Sequence, residues 1–323
     1  MYRIGVDVGG TNIAVGLVDE NYDIVVKTSI KTSEVSESEQ MIRAIASTIK
    51  KILVDNNLSE ADVEAIGVGV PGTAELTTGR IMYANNLGFE EVPFLPKLKE
   101  ALGENLGSRT FFDNDANAAA IGEYITGGYD VDNFVMVTLG TGIGGGIIIN
   151  HKLLRGINFA AAEFGHMTIN LDGVDCNCGR KGCFEDYASA TALMQQAGEA
   201  MEKDVDKTSV LWALCGNPKD MDGEVFFEVI RKKDTLALEV LDGFTTYLSE
   251  GITNLINILQ PDVLVLSGGI TRAADFFLDD LKKKVAKGIY SRNSEKNTDI
   301  VLAHGISDAG DVGIIGAALI DRG

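Results

Sequence analysis

The chain has 323 residues, of which 45% are apolar, and it carries a formal net charge of -19 at pH 7. This length suits two α/β domains, and the apolar fraction is that of a folded globular protein rather than a disordered one. The acidic balance argues against nucleic-acid binding, which depends on clustered lysine and arginine. No apolar stretch approaches the roughly 20 residues that span a membrane, and residues 2–6 already read as a strand with no leader before it. We therefore expect a cytoplasmic protein with no membrane partner.

The first half of the chain reads as short strands followed by helices. Strands are predicted over residues 2–6, 13–18, 24–26, 65–70 and 110–112. A helix is predicted over 37–55 from its apolar periodicity, with Ser36 and Glu39 as a capping box. The strand at 110–112 is followed by Asp113-Asn114-Asp115, which lie at the start of an alanine-rich helix.

The opening pattern returns near the middle of the chain. Strands at 134–139 and 144–149 flank a Gly/Thr turn, as in residues 4–18, which predicts two related domains. A long helix at 238–259, a strand at 263–266 and a final helix at 312–320 follow. We predict a smaller domain over residues 1–120, onto which 311–323 packs back, and a larger domain over 121–310.

Three glycine clusters follow predicted strands. They are Asp7-Val8-Gly9-Gly10-Thr11, the run from Gly140-Thr141-Gly142 to Gly146, and Ser267-Gly268-Gly269. Glycine lets the backbone approach phosphate oxygens, and a carboxylate such as Asp7 suits Mg²⁺. Each cluster alone is more often a tight turn, but three on both halves favour phosphate binding, and the third suits the flat face of a nucleoside. None is a Walker loop.

Three of the four cysteines crowd together, ten residues after His166. Cys176, Cys178, Cys183 and that histidine form a set typical of structural Zn²⁺. A disulfide is the poorer interpretation, because neighbouring Cys-x-Cys residues rarely bridge, and metal-free buried thiols are the remaining one. We expect Cys215 to be a core residue.

Four polar residues are candidates for sugar chemistry. Asp115 could serve as a base for a hydroxyl, although an N-cap is the commoner role of such a residue. Glu163, His166 and Glu185 flank the cysteine cluster, so a zinc ion would fix them in one small volume, where carboxylates accept hydrogen bonds from sugar hydroxyls.

With these residues in view, the sequence resembles the ROK family of bacterial sugar kinases and repressors, especially its glucokinases. The matching segments, in family order, are Asp7–Thr11, Asn114-Asp115-Ala116, Leu139–Gly146, Glu163-Phe164-Gly165-His166 and Cys176–Glu185. Repressor members carry a helix-turn-helix ahead of the first phosphate loop, whereas Asp7 here is near the start, so the DNA-binding interpretation is not favoured.

The resemblance implies an actin-like, ribonuclease-H-type and hexokinase-like fold of two α/β domains that close over sugar and ATP-Mg²⁺. It implies a glucokinase of glycolysis with Asp115 as general base on the C6 hydroxyl of glucose. The implied sugar-binding residues are Gly72, Asn114, Asp115, Glu163, His166 and Glu185. The implied nucleotide-binding residues are Asp7, Gly9, Gly10, Thr11, Asn12, Gly140, Thr141, Gly142, Gly268 and Gly269. Structural Zn²⁺ would be held by His166, Cys176, Cys178 and Cys183, and a homo-oligomer, dimer or tetramer, is expected.

Two alternatives stay open at this point. One is a kinase for another hexose, namely N-acetylglucosamine, N-acetylmannosamine, mannose or fructose. The other is a non-catalytic sugar sensor, which would have no need of a base at Asp115. Residues 204–233 lack a chemical motif and are interpreted as a helical insertion or an assembly surface.

Overall fold

The computed structural model describes residues 1–304 and 309–323. The chain divides into two compact units. The first comprises Met1–Val135, Gly145–Ala162 and Ala303–Gly323, and the second comprises Met136–Gly144 and Glu163–Leu302. The first unit thus extends beyond the predicted boundary at residue 120, because that boundary falls inside one continuous helix, Asp115–Thr126.

The strands are β1 (Tyr2–Val8), β2 (Asn12–Val18), β3 (Ile24–Lys31), β4 (Val63–Val70), β5 (Thr73–Glu75), β6 (Arg80–Ala84), β7 (Phe89–Val92), β8 (Thr110–Asn114), β9 (Asn133–Leu139), β10 (Ile143–Ile149), β11 (Lys152–Leu153), β12 (Val263–Ser267) and β13 (Asp299–Leu302). The α-helices are α1 (Ser38–Asp55), α2 (Phe94–Leu102), α3 (Glu104–Gly107), α4 (Asp115–Thr126), α5 (Glu185–Ala188), α6 (Ala190–Lys203), α7 (Leu211–Leu214), α8 (Gly223–Arg231), α9 (Thr235–Leu259), α10 (Leu278–Gly288) and α11 (Ala309–Ala318).

Two five-stranded sheets share one strand order. The first runs β3-β2-β1-β4-β8, and the second runs β11-β10-β9-β12-β13. In the first, β1 to β3 form an antiparallel meander, while β1, β4 and β8 are parallel. The matching orders confirm the repeated pattern of the sequence. The small antiparallel sheet β5-β6-β7 was not predicted, because its strands have only three to five residues.

Helix α11 packs closely on the first sheet through glycine. Gly5 of β1 and Gly67 of β4 are register partners, and a Cβ on either would collide with a carbonyl oxygen of α11, that of Ile314 or Ala317. These positions lack side chains because the helix backbone occupies the space. The apolar strand residues beside them complete the core with α1, whose predicted face is buried.

The helix predictions need two corrections. The predicted capping box is wrong: α1 starts at Ser38 with Glu37 as N-cap and no side-chain cap, while Glu39 hydrogen-bonds to Lys97 of α2. Helix α9 begins at Thr235, three residues before the predicted start at Leu238, and it buries one face while Leu238 itself is 42% exposed. None of the helices in residues 1–304 and 309–323 combines the length and apolarity that crossing a bilayer requires.

Candidate active site

The carboxyl edge of the first sheet holds three acidic residues of the first unit, Asp7, Asp113 and Asp115. Asp7 is paired in register with Gly69, and Gly69 with Asp113, so these residues form one row across β1, β4 and β8. A Cβ on Gly69 would lie 3.4 Å from the Asp115 Cα, so the missing side chain lets the start of α4 lie against β4. The parallel strands therefore deliver Asp7 and Asp115 to the same edge.

The first glycine cluster forms the turn between β1 and β2. Its closing hydrogen bond runs from the Gly9 amide to the Asn12 carbonyl at 3.0 Å, and Thr32 donates its hydroxyl to the Gly9 carbonyl at 2.8 Å. Gly10, Thr11 and Asn12 are exposed. The turn is thus fixed at its base while its tip faces solvent, as a phosphate cradle requires.

Asp7 is a partly buried carboxylate. Burial raises its pKa to about 6, and the nearby Lys27 partly offsets this. Gly313 of α11 lies against the carboxylate, with no room for a side chain between them. The carboxylate is ionised at neutral pH, but at a cost in stability that a cation would relieve.

Asn114, rather than Asp115, caps α4. Its side-chain oxygen accepts hydrogen bonds from the amides of Ala116 and Asn117 at 2.9 and 3.1 Å, and its amide donates to the Gly72 carbonyl at 3.0 Å. The interpretation of Asp115 as an ordinary N-cap is therefore wrong. Asp115 is the first residue of the helix, where the macrodipole favours an ionised carboxylate.

The second glycine cluster forms the turn between β9 and β10. The Gly140 amide donates to the Gly142 carbonyl at 3.0 Å, and the Gly140 carbonyl accepts from the Ala190 amide at 2.9 Å. Glu185 lies against Gly142, where any Cβ would meet its carboxylate, and it accepts a hydrogen bond from the Ile143 amide at 3.3 Å. This turn is therefore supported from α5 and α6.

The third glycine cluster borders a cavity of about 650 Å³ in the second unit. Gly268 has φ +100°, a conformation that glycine adopts readily, and packs against the Leu139 backbone, while Gly269 lines the cavity beside Gly140 and Thr141. The other lining residues are Leu139, Ala190, Met194, Gly223, Glu224, Phe227, Arg231, Ile270, Arg272 and Ala273. The second and third clusters thus share one partly apolar cavity.

The cavity includes residues that sequence reasoning missed. Gly223, Glu224, Phe227 and Arg231 all lie on α8, inside the stretch interpreted as an insertion or assembly surface. The signal available was the amphipathic periodicity of residues 223–231, but periodicity does not say which cavity a helix borders.

The cysteine cluster brings four candidate metal ligands together. One ligand atom from each of His166, Cys176, Cys178 and Cys183 lies within 4.8 Å of the others. The Cys178 and Cys183 sulfurs are 3.6 Å apart, and Cys176 Sγ is 3.7 Å from His166 Nδ1. Two sulfurs on one tetrahedral zinc would be about 3.8 Å apart, so the four side chains fit the ion. None of the four cysteines is in a disulfide.

The electrostatics of the cluster also fit a cation. Burial raises the pKa of the Cys176 and Cys183 thiols, whereas the Arg180 amide lowers the pKa of Cys178. Within the described residues, Asp186 has a buried carboxylate oxygen without a hydrogen-bond partner, and a carboxylate oxygen of this residue lies within 4.8 Å of the Cys176 sulfur. A divalent cation would stabilise thiolates and carboxylates here that are otherwise costly to bury.

Glu185 lies beside the cluster, and Glu163 lies three residues before His166 in the chain. Glu163 is exposed and precedes the 3₁₀ helix Phe164–His166. His166 Nδ1 is 3.3 Å from the Glu185 carboxylate, and Arg180 holds the segment by donating to the His166 carbonyl at 3.2 Å. The prediction for Cys215 is wrong: it is partly exposed, and its thiol donates to the Asn217 carbonyl.

Comparisons with known proteins identify the family of this chain. Residues 3–322 match the ROK family. A glucokinase from Halalkalibacterium halodurans is 37% identical over 292 residues, which are 87% of this chain and 84% of that protein. A crystallised ROK family glucokinase from Streptomyces griseus, in complex with glucose and AMPPNP, superposes with a TM-score of 0.80 at 31% identity, covering all of both chains. The xylose repressor of Bacillus subtilis is 28% identical over 90% of this chain and 70% of its own length. This chain belongs to the ROK family.

Proposed function

We propose that the protein is an ATP-dependent glucokinase that transfers the γ-phosphate of ATP to the C6 hydroxyl of glucose. The observation that carries the proposal is the position of Asp115, in a chain that is 37% identical to one glucokinase and 31% identical to another solved with glucose and an ATP analogue. Asp115 is the first residue of α4 and lies at the sheet edge that also holds Asp7. A sugar kinase needs such a base beside its phosphate loops.

Asp115 acts as general base in this mechanism. The C6 oxygen attacks the γ-phosphorus while its proton passes to the Asp115 carboxylate, the bond from phosphorus to the β,γ-bridging oxygen breaks, and ADP leaves. The helix N-terminus keeps the carboxylate ionised beforehand, and the Asn114 cap fixes the backbone that carries it. Catalysis then rests mainly on positioning.

The sugar would be held by Gly72, Asn114, Glu163, His166 and Glu185. Asn114 and Gly72 are already joined by a hydrogen bond, so they form one rigid polar element. His166 presents Nδ1 to Cys176, which leaves Nε2 as the nitrogen that we assign to a sugar hydroxyl. The carboxylates of Glu163 and Glu185 can each accept hydrogen bonds from two hydroxyls.

MgATP would be held by the three glycine turns. Asp7 provides a carboxylate for the Mg²⁺ of the substrate, and the turns at 9–12 and 140–142 provide backbone amides for the phosphates. The nucleoside would occupy the 650 Å³ cavity, where Phe227 and Ile270 offer apolar surface. Backbone amides suit this task because the net charge of the chain, -19, does not favour an anionic nucleotide.

Structural zinc is part of the proposal. When bound to His166, Cys176, Cys178 and Cys183, the ion supplies a rigid cross-link of the loop. The loop residues themselves then orient His166 and Glu185. We also infer a cytoplasmic location, because free thiols of this kind persist in a reducing compartment.

The test is ADP release from MgATP, measured with glucose, N-acetylglucosamine, N-acetylmannosamine, mannose, fructose and no sugar. We expect the highest kcat/KM with glucose and little release without sugar. Preference for another hexose would overturn the glucose assignment but keep the kinase. Silence with every sugar, from zinc-loaded protein that binds glucose in calorimetry, would favour the sugar sensor.

A further inference from the structure

Asp113 is a carboxylate that the proposed reaction does not use, although it lies two residues from the base. It sits near the end of β8, and its side chain is only 2% exposed. An ionised carboxylate at such depth is costly unless it is paired and hydrogen-bonded on both oxygens. The partners of the Asp113 carboxylate therefore indicate which part of the structure it stabilises.

Both Asp113 oxygens have partners. Oδ1 accepts hydrogen bonds from the Asn114 amide at 2.7 Å and from the Asn117 side chain at 2.9 Å. Oδ2 accepts from Arg155 Nε at 2.8 Å. Asn114 directly precedes Asp115 and Asn117 follows it by two residues, so one buried carboxylate holds the chain on both sides of the base.

Arg155 is separated from Asp113 by 42 residues of sequence and lies just after β11. Its side chain is 22% exposed, so the ion pair is largely shielded from water. It is the cation found within ion-pair distance of Asp113 among the described residues. Its Nη1 also lies 3.5 Å from the Gly323 carbonyl.

The loop after Arg155 has an unusual backbone. Phe159 and Ala162 have φ of +60° and +67°, which non-glycine residues adopt only when their surroundings hold them there. The Ala161 amide donates to the Arg155 carbonyl at 3.0 Å and closes the loop. Arg155 therefore anchors both this loop, which continues to Glu163, and the carboxylate beneath α4.

We propose that Arg155 is a positioning residue for phosphoryl transfer, acting through Asp113 on the first turn of α4 and hence on Asp115. This role rests on the proposed function. Without Arg155, Asp113 would carry an unpaired buried charge. The carboxylate would then rotate towards water, its hydrogen bonds to Asn114 and Asn117 would weaken, and the first turn would lose its fixed geometry. A displacement of about 1 Å at a reacting group can cost 10²-fold in rate.

The test compares Arg155→Met with the double variant Asp113→Asn/Arg155→Met and with Lys152→Met, which removes an exposed cation on β11. We expect Arg155→Met to lower kcat by about 10- to 100-fold while the KM for ATP changes less than about twofold. The double variant keeps the acceptor for the Asn114 amide but removes the charge. Its kcat should recover at least several-fold over Arg155→Met, and Lys152→Met should match the wild type.

Two further readouts separate positioning from folding. Amide exchange at Ala116 and Asn117, whose amides bond to Asn114, should accelerate in Arg155→Met and slow again in the double variant. Melting temperatures identify variants that merely unfold. Normal kcat in folded Arg155→Met, or a double variant slower than Arg155→Met, would overturn the role of the pair while leaving an active wild type intact. A wild type inactive with every sugar would instead overturn the proposed function, and the role of the pair with it.

Discussion

Glu185 accepts a hydrogen bond from the Ile143 amide at 3.3 Å through one carboxylate oxygen, while its other oxygen lies 3.3 Å from His166 Nδ1. One side chain thus links the strand after the second glycine turn to the cysteine cluster. A residue expected from sequence only to bind sugar also supports the turn proposed to bind phosphate.

Glu185→Ala should therefore impair both substrates. Loss of a carboxylate that accepts from sugar hydroxyls should raise the KM for glucose at least tenfold, since a charge-assisted hydrogen bond contributes about 1.5–3 kcal/mol. Loss of the acceptor for the Ile143 amide should raise the KM for ATP several-fold. Glu202→Ala, on an exposed part of α6, is the control and should change neither value. An unchanged KM for ATP in Glu185→Ala would show that the link to β10 has no role in nucleotide binding.

Replacing a single cysteine should distinguish zinc ligation from ordinary packing. Cys178→Ser should reduce the zinc content from one ion per chain to a small fraction, lower the melting temperature and abolish measurable glucose binding, because His166 and Glu185 lose their support. Cys215→Ser is the matched control, since Cys215 lies outside the cluster. Metal analysis by mass spectrometry checks both. Zinc retained in Cys178→Ser, or glucose binding undiminished after its loss, would contradict the assignment.

Asp7 should make stability depend on pH. The pKa of Asp7 is about 6 in the folded state and 3.8 in the unfolded state, so the folded state favours the protonated side chain. The stability that this preference contributes is fully present below pH 3.8 and is lost as pH rises through 6. Asp7→Asn should accordingly increase the free energy of unfolding by about 2 kcal/mol at pH 7, with most of this gain gone at pH 4. Urea denaturation at both pH values measures the difference.

The same substitution should weaken the enzyme, because the amide is a poorer partner for Mg²⁺. We expect a higher KM for MgATP in the stabilised variant. Asp55→Asn, at the exposed end of α1, should alter neither property. If the Asp7→Asn variant were less stable than the wild type at pH 7, burial of the ionised carboxylate would not be destabilising.

Phe227→Ala tests the cavity on α8. Phe227 is 8% exposed and lines the space proposed for the nucleoside, so its removal should raise the KM for ATP about tenfold with little change in the KM for glucose. Tyr290→Ala removes an aromatic ring that is 92% exposed and should have no effect. Equal increases in both KM values would indicate general loosening of the second unit rather than a nucleoside site.

Local sequence patterns predicted much of the fold. The apolar periodicity of residues 41–53 located α1, because burial of one helix face imposes that period. Short apolar runs bounded by glycine turns located β1, β2, β9 and β10. The helix start was less predictable. Glu39 could have completed a capping box, but its ion pair with Lys97 depends on a helix 58 residues away.

The residues of the candidate site also fall into two groups, those that local sequence could predict and those that it could not. Asp7, Asn114, Asp115 and the cysteines stand in compact motifs, which can be recognised in the sequence without knowledge of their contacts in space. Arg155 and Phe227 have no motif, and their partners come from distant elements. Arg155 meets Asp113 only in the folded chain. Residue patterns alone could therefore not assign a role to Arg155 or to Phe227.

We propose Asp115 as the base that activates the C6 hydroxyl of glucose. The most direct measurement is the turnover of Asp115→Asn beside its glucose affinity, determined by calorimetry on the same zinc-loaded preparation. We expect kcat to fall at least 10³-fold, since general base catalysis contributes about 10²–10⁴-fold, while the Kd for glucose stays within a few-fold of the wild type. Near-normal turnover in a variant that binds glucose normally would contradict it.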